Sequence, residues 1–142
     1  MNNLIVRQLE DERLFVDFAA CLENVELLCA HVEQFLLKHN TSGSCFDIFL
    51  MLREVVNNAV IHGSKCDSDK RIKVTLTLKK GTLTMEVEDQ GQGFDWQTAL
   101  ALDSPDPDAC CGRGMYIARL YADSWAYAGG GNKVILTKTL QM

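Results

Sequence analysis

Three stretches of the chain carry side chains that local structure does not need, and each suggests a piece of chemistry. The first is Glu54-Val55-Val56-Asn57-Asn58-Ala59-Val60-Ile61-His62-Gly63. Glu54 and Asn58 stand at i and i+4, so they share one helix face, with Met51 and Ile61 close to the same line. A carboxylate beside a carboxamide on an otherwise apolar helix needs partners, because burying either alone costs roughly several kcal/mol. One reading is structural: a hydrogen-bonded pair, or a Glu54–Arg53 surface contact. The other is a hard-cation site, in which the Asn58 carbonyl suits Mg²⁺ and Glu54 acts as a general base.

The second stretch is Asp89-Gln90-Gly91-Gln92-Gly93. Asp89 shares strand parity with Leu83, Met85 and Val87, so it should point toward the helices. A charge at the end of a buried face is expensive unless something hydrogen-bonds to it. Gly91 and Gly93 let the backbone turn and approach a ligand closely. Aspartate-glycine turns after strands are common, yet a solvent turn does not need an inward aspartate. A buried acceptor there could receive the exocyclic amine of adenine. The third stretch, Gly112-Arg113-Gly114-Met115, puts a glycine-rich loop at the start of a helix. Orphan N–H groups and the helix dipole favour phosphate at such an end, and Arg113 adds charge-assisted contacts. No Walker lysine follows, so this is not a P-loop.

These groups need elements to hold them. Leu4 to Leu9 and Arg13 to Ala19 read as strands joined at Glu10-Asp11-Glu12, with Leu14, Val16 and Phe18 facing one way. From Glu23 to Lys38 the period becomes helical, with Val25, Leu28, Cys29, Val32, Phe35 and Leu36 on one stripe. A polar loop follows, and Cys45 to His62 reads as a helix buried on more than one face, ending at His62-Gly63 as a helix C-terminus should. Ile72 to Leu78 and Leu83 to Val87 alternate across Lys80-Gly81, which predicts a hairpin with one buried face. Asp95 to Leu102 allows a short helix, Ser104 to Asp108 must be loop, and Arg113 to Ala122 reads as a third helix. Ser124 to Ala128 and Lys133 to Leu140 close the chain as a hairpin, with Trp125, Tyr127 and Phe94 as core aromatics. Strands in antiparallel pairs with three amphipathic helices between them predict a two-layer α/β sandwich.

Composition narrows the classes. A chain of 142 residues suits one domain, here residues 1–142, able to build its own core. Six cysteines without a C-x-x-C spacing, and only three histidines, give neither a zinc ribbon nor a disulfide framework; they suit a reducing, cytoplasmic setting. The formal charge of −5, from 14 Lys+Arg against 19 Asp+Glu, lacks the basic surplus of a nucleic-acid binder. No apolar run approaches the roughly 20 residues of a membrane span, and the opening Met1 to Arg7 has no leader-like apolar core.

In this order and spacing, the three stretches resemble the ATP-binding site of the GHKL superfamily, whose domain has the Bergerat fold. Glu54 to Gly63 looks like its N-box, Asp89 to Gly93 its D-x-G-x-G box, and Gly112 to Gly114 its second glycine box. Within the superfamily the chain most resembles the bacterial anti-sigma factor serine/threonine kinases of the SpoIIAB and RsbW type. The signs are E-x-x-x-N-A-x-x-H-G, the Pro-Asp-Pro-Asp stretch, and Gly112 to Leu120. The resemblance implies a mixed, mainly antiparallel sheet with helices on one face. It implies Glu54 as catalytic base, Asn58 as Mg²⁺ ligand and Asp89 as the adenine acceptor, with Gly91, Gly93, Gly112, Arg113, Gly114 and Met115 shaping the nucleotide pocket. The implied reaction passes the γ-phosphoryl of MgATP to a Ser or Thr of a STAS-domain anti-anti-sigma protein. A sigma factor is an implied second partner, and relatives of this type often form homodimers. A partner-switching protein that binds ATP without catalysis is the alternative, against which the retained Glu54 speaks. An acidic domain holding a polyanion must gather its few cations, such as Arg113, around the phosphates. This chain departs from its relatives in the short stretch Pro105 to Gly112, in Cys110-Cys111, and in Asn132-Lys133 where a threonine is common.

Overall fold

The computed structural model describes residues 5–10, 12–39, 45–91, 121–128 and 132–140. In chain order these form β1 (Ile5–Glu10), β2 (Arg13–Ala19), α1 (Glu23–Lys38), α2 (Cys45–Asn58), a π-helical turn (Ala59–Gly63), β3 (Arg71–Lys79), β4 (Thr82–Glu88), β5 (Ser124–Ala128) and β6 (Lys133–Thr139). The expected helices at 95–102 and 113–122 lie outside the described residues, apart from the helical Tyr121 and the following Ala122.

The strands make one six-stranded sheet in the order β1-β2-β3-β4-β6-β5. Alternation decides its two faces. Register sets Val16 beside Val74, Val74 beside Val87 and Val87 beside Val134; the next inward row is Leu14, Leu76, Met85 and Leu136. All eight of these side chains are buried. Onto them pack Val25, Leu28, Val32 and Phe35 from α1, and Ile48, Met51, Leu52, Val55 and Val56 from α2, in one continuous core. The opposite face carries Arg13, Phe15, Asp17, Lys73, Thr75, Thr84 and Glu86, none of them buried. The described helices therefore cover one face of the sheet, as expected.

Every described pairing is antiparallel, in line with the expected mainly antiparallel sheet. β4 and β5 do run in the same direction, but the closing hairpin folds β6 back between them, so the two never meet. The β3–β4 connection holds Lys80 and Gly81 at φ 52° and 78°, the paired left-handed turn that matches the twist of a two-residue hairpin. α1 begins without a side-chain cap; instead the buried Asn24 donates Nδ2 to the Ala19 carbonyl at 2.9 Å, tying helix to strand. Trp125 and Tyr127 are partly buried against the core and meet edge-to-face at 5.7 Å. No described helix is long and apolar enough to cross a membrane.

Phe18 is fully buried between sheet and helices. Phe18→Ala should cost about 3–5 kcal/mol of stability, measured by urea denaturation, because the dense core cannot collapse into the space left.

Candidate functional site

α2 runs across the sheet and presents Glu54 and Asn58 one turn apart near its C-terminal end, both partly exposed. Arg53 is not Glu54's partner. Its guanidinium forms a two-armed ion pair with Glu26 of α1, through Nη1 to Oε1 and through Nη2 to Oε2 at 3.1 Å. That guanidinium holds the Glu26 carboxyl below the usual carboxylate range. Neither Glu54 nor Asn58 has a hydrogen-bond partner among the described residues, and the Glu54–Arg53 contact is replaced by the Arg53–Glu26 pair. What remains is a carboxylate and a carboxamide oxygen open to solvent on one helix face.

The α-helix stops at Asn58 and widens into the π turn, where a straight helix to His62 was expected. Ser64 N–H donates to the Ala59 carbonyl and Cys66 N–H to the Val60 carbonyl, both at 2.8 Å. Lys65 and Cys66 then take left-handed φ of 53° and 56° and turn the chain toward β3. Such turns recur at functional sites because the extra residue per turn re-aims the backbone. Ser64 is fully buried, and its hydroxyl has no partner among the described residues. Ser64→Ala should therefore raise stability slightly, by about 1 kcal/mol on the desolvation of an unpaired hydroxyl. A denaturation midpoint lower than wild type would contradict this.

Asp89 follows directly on β4. Its N–H donates to the Asn132 carbonyl at 2.9 Å, and Asn132 Nδ2 returns a bond to the Asp89 carbonyl at 3.3 Å. The side chain turns toward the helix layer, as parity predicts, and lies against the end of the π turn. Oδ1 accepts the Gly91 N–H at 2.7 Å. Burial pushes the Asp89 pKa up from 3.8; the Gly91 N–H opposes this, Glu88 adds to it and Lys70 opposes it. Gln90 accepts the Arg71 N–H at 2.7 Å and anchors the turn after β4 to the start of β3. A side-chain carbon on Gly91 would fall 2.7 Å from the Gly63 carbonyl carbon and 2.8 Å from Asp89 Oδ1. The Gly63 backbone and the Asp89 carboxylate occupy the space beside Gly91.

The structure thus brings Glu54, Asn58, Asp89 and Gly91 to one edge of the sandwich, at the end of α2 and the end of β4. Gly93, Gly112, Arg113, Gly114 and Met115 lie outside the described residues. Sequence reasoning missed the close packing of Gly63 and the two hydrogen bonds between Asn132 and Asp89. A glycine after a helix reads as a cap, and nothing local reveals a contact with a residue 26 positions on.

No group of three or more His, Cys, Asp and Glu side chains able to hold a metal occurs among the described residues. Mg²⁺ does not require one, since it keeps several waters and phosphate oxygens and takes one or two protein oxygens. The unpartnered Asn58 and Glu54 oxygens fit that donor set.

A six-stranded antiparallel sheet covered by helices, with an inward acid at a strand end, is consistent with the fold of the GHKL-type ATPase domains. The chain belongs to the histidine kinase-like ATPase domain family, which it matches over residues 18–138. It is similar to the anti-sigma F factor of Clostridium perfringens, 25% identical over 138 residues that cover 92% of this chain and 98% of that protein. The anti-sigma F factor of Clostridium beijerinckii is 23% identical over 137 residues, covering 92% and 96%.

Proposed function

We propose that this chain binds ATP with Mg²⁺ and transfers the γ-phosphoryl group to a serine or threonine hydroxyl of a STAS-domain anti-anti-sigma protein, and that it sequesters a sigma factor. The observation that carries the reading is the half-buried Asp89 carboxylate, held at the strand end beside the helix of Glu54 and Asn58. An acid at that depth, with one oxygen taken by Gly91, suits a ligand that donates hydrogen bonds, as the adenine amine does. Similarity to two anti-sigma F factors over nearly their whole length supports the regulatory partners.

In this reading Asp89 orients the base, Glu54 takes the proton of the acceptor hydroxyl, and the Gly91 N–H holds the Asp89 carboxylate in place. The hydroxyl oxygen bonds to the γ-phosphorus as the bond to the β-phosphate oxygen breaks, and ADP leaves. Asn58 would hold Mg²⁺ with Glu54 nearby, and the bound ion would neutralise phosphate charge. Catalysis of this kind rests on positioning and charge neutralisation. Gly93, Gly112, Arg113, Gly114 and Met115 are assigned to the phosphate side of the pocket on sequence alone. A Glu54 carboxylate with no partner among the described residues favours a kinase over an ATP-binding switch without catalysis, since a binder needs no base there.

Labelled ATP mixed with candidate STAS proteins tests this: phosphoserine or phosphothreonine on one of them is the expected result, and ATP binding without transfer to any would leave the switch reading. Asn58→Ala should abolish the Mg²⁺ dependence of ATP binding. Titration of ATP with and without Mg²⁺ checks it, and an unchanged metal dependence would remove Asn58 from the metal site.

A further inference from the structure

Gly63 closes the π turn, and its missing side chain is where the Asp89 carboxylate sits. A side-chain carbon on Gly63 would touch Asp89 Oδ2 directly, at 2.5 Å from Cγ and 2.8 Å from Oδ1. The conformation of Gly63 is not the reason for glycine here, since its φ is not left-handed; the left-handed residues come just after it. Space is the reason. The Gly63 carbonyl in turn fills the side-chain position of Gly91, whose N–H holds Asp89 Oδ1. Two glycines from segments far apart in sequence thus clasp one carboxylate, Gly63 from the helix side and Gly91 from the loop side. Asn132, just before β6, fixes the same residue's backbone.

We infer that Gly63 is a positioning residue for base selection: by leaving room at the end of the π turn it sets the orientation of the Asp89 carboxylate, and through it the preference for a 6-amino over a 6-oxo purine. This rests on the proposed role of Asp89 as the base acceptor. The π turn supplies the geometry. Its widened backbone carries Gly63 against the strand end, so the helix that bears Glu54 and Asn58 also shapes the base end of the pocket. A single element then couples the two ends of a bound nucleotide.

The test compares affinities of Gly63→Ala and wild type for ATP and for inosine triphosphate, which has the same phosphates and sugar but a 6-oxo group. Wild type should prefer ATP by about tenfold or more, on the loss of a hydrogen bond to a charged group. Gly63→Ala should bring that ratio close to one. A purely structural glycine would weaken both nucleotides together and keep the ratio, which overturns the inference. A wild type that binds both equally instead overturns the adenine reading of Asp89, so the two failures are distinguishable. Should Gly63→Ala fold poorly, a double-mutant cycle with Asp89→Ala decides. The destabilisation by Gly63→Ala should largely vanish once the carboxylate is removed. A penalty of the same size in both backgrounds would show that the added carbon clashes elsewhere.

Discussion

Glu54→Gln is expected to leave ATP binding close to wild type and to lower phosphoryl transfer by about 10²- to 10⁴-fold, the usual worth of a positioned general base. Glutamine keeps the shape and one acceptor oxygen but cannot take the hydroxyl proton. Stability should hardly move, because the substitution breaks no ion pair among the described residues: Arg53 is already committed to Glu26 of α1. That geometry makes the variant a clean probe. Had Glu54 and Arg53 been partners, lost activity and lost stability would have been entangled. Single-turnover transfer of labelled phosphate to a STAS acceptor, run beside a thermal melt, measures both quantities. Full transfer by Glu54→Gln would remove Glu54 from the base role. An equal loss of ATP binding would instead assign it to nucleotide or metal binding. Glu26→Gln is the companion control, expected to loosen the α1–α2 contact while leaving transfer intact.

The contrast between Arg53 and Glu54 also marks how far the sequence could be read. Elements with a strong period were legible almost to the residue. The stripe from Val25 to Leu36 predicts α1 at its observed bounds, Glu23–Lys38, and the alternation around Lys80-Gly81 predicts the β3–β4 hairpin and its buried face. Parity along β4 is a local property too, so the inward turn of Asp89 could be anticipated. Contacts between distant segments were not legible. Neighbouring helix residues point about 100° apart, so Arg53 could not face Glu54 as it faces Glu26, 27 residues earlier on the adjacent helix. The π turn escaped because one extra residue per turn leaves the apolar pattern of Ala59, Val60 and Ile61 unchanged. The strand order depends on where the last hairpin inserts, and strand patterns do not encode neighbours. The site was therefore visible as residue types, while its clasp of Gly63, Asp89 and Gly91 came only with the fold.

Asp89→Asn should weaken ATP binding by about 10- to 100-fold while leaving the free protein as stable as wild type or more so. Gly91 N–H donates to Oδ1, and an asparagine oxygen keeps that bond by taking the same place. The amide nitrogen then stands where the second carboxylate oxygen was, a donor facing the donating amine of adenine. The stability half follows from the direction of the pKa shift. Burial raises the Asp89 pKa above 3.8, so the folded chain takes up this proton more readily than the unfolded chain. Ionised Asp89 therefore costs stability, and the cost grows as pH rises from the unfolded value through the raised folded one. Below that window both states are protonated and the cost disappears. The stability gain of Asp89→Asn should accordingly be largest near neutral pH and vanish in acid, as urea titrations at a series of pH values will read. ATP affinity of the wild type should fall as pH drops into the same window, and fall more steeply than that of Asp89→Asn, which lacks the titrating carboxylate. A stability penalty at neutral pH, with ATP affinity unchanged, would make Asp89 a structural acid. Loss of affinity together with gained stability is what a charge kept for its ligand, at the expense of the free fold, must produce.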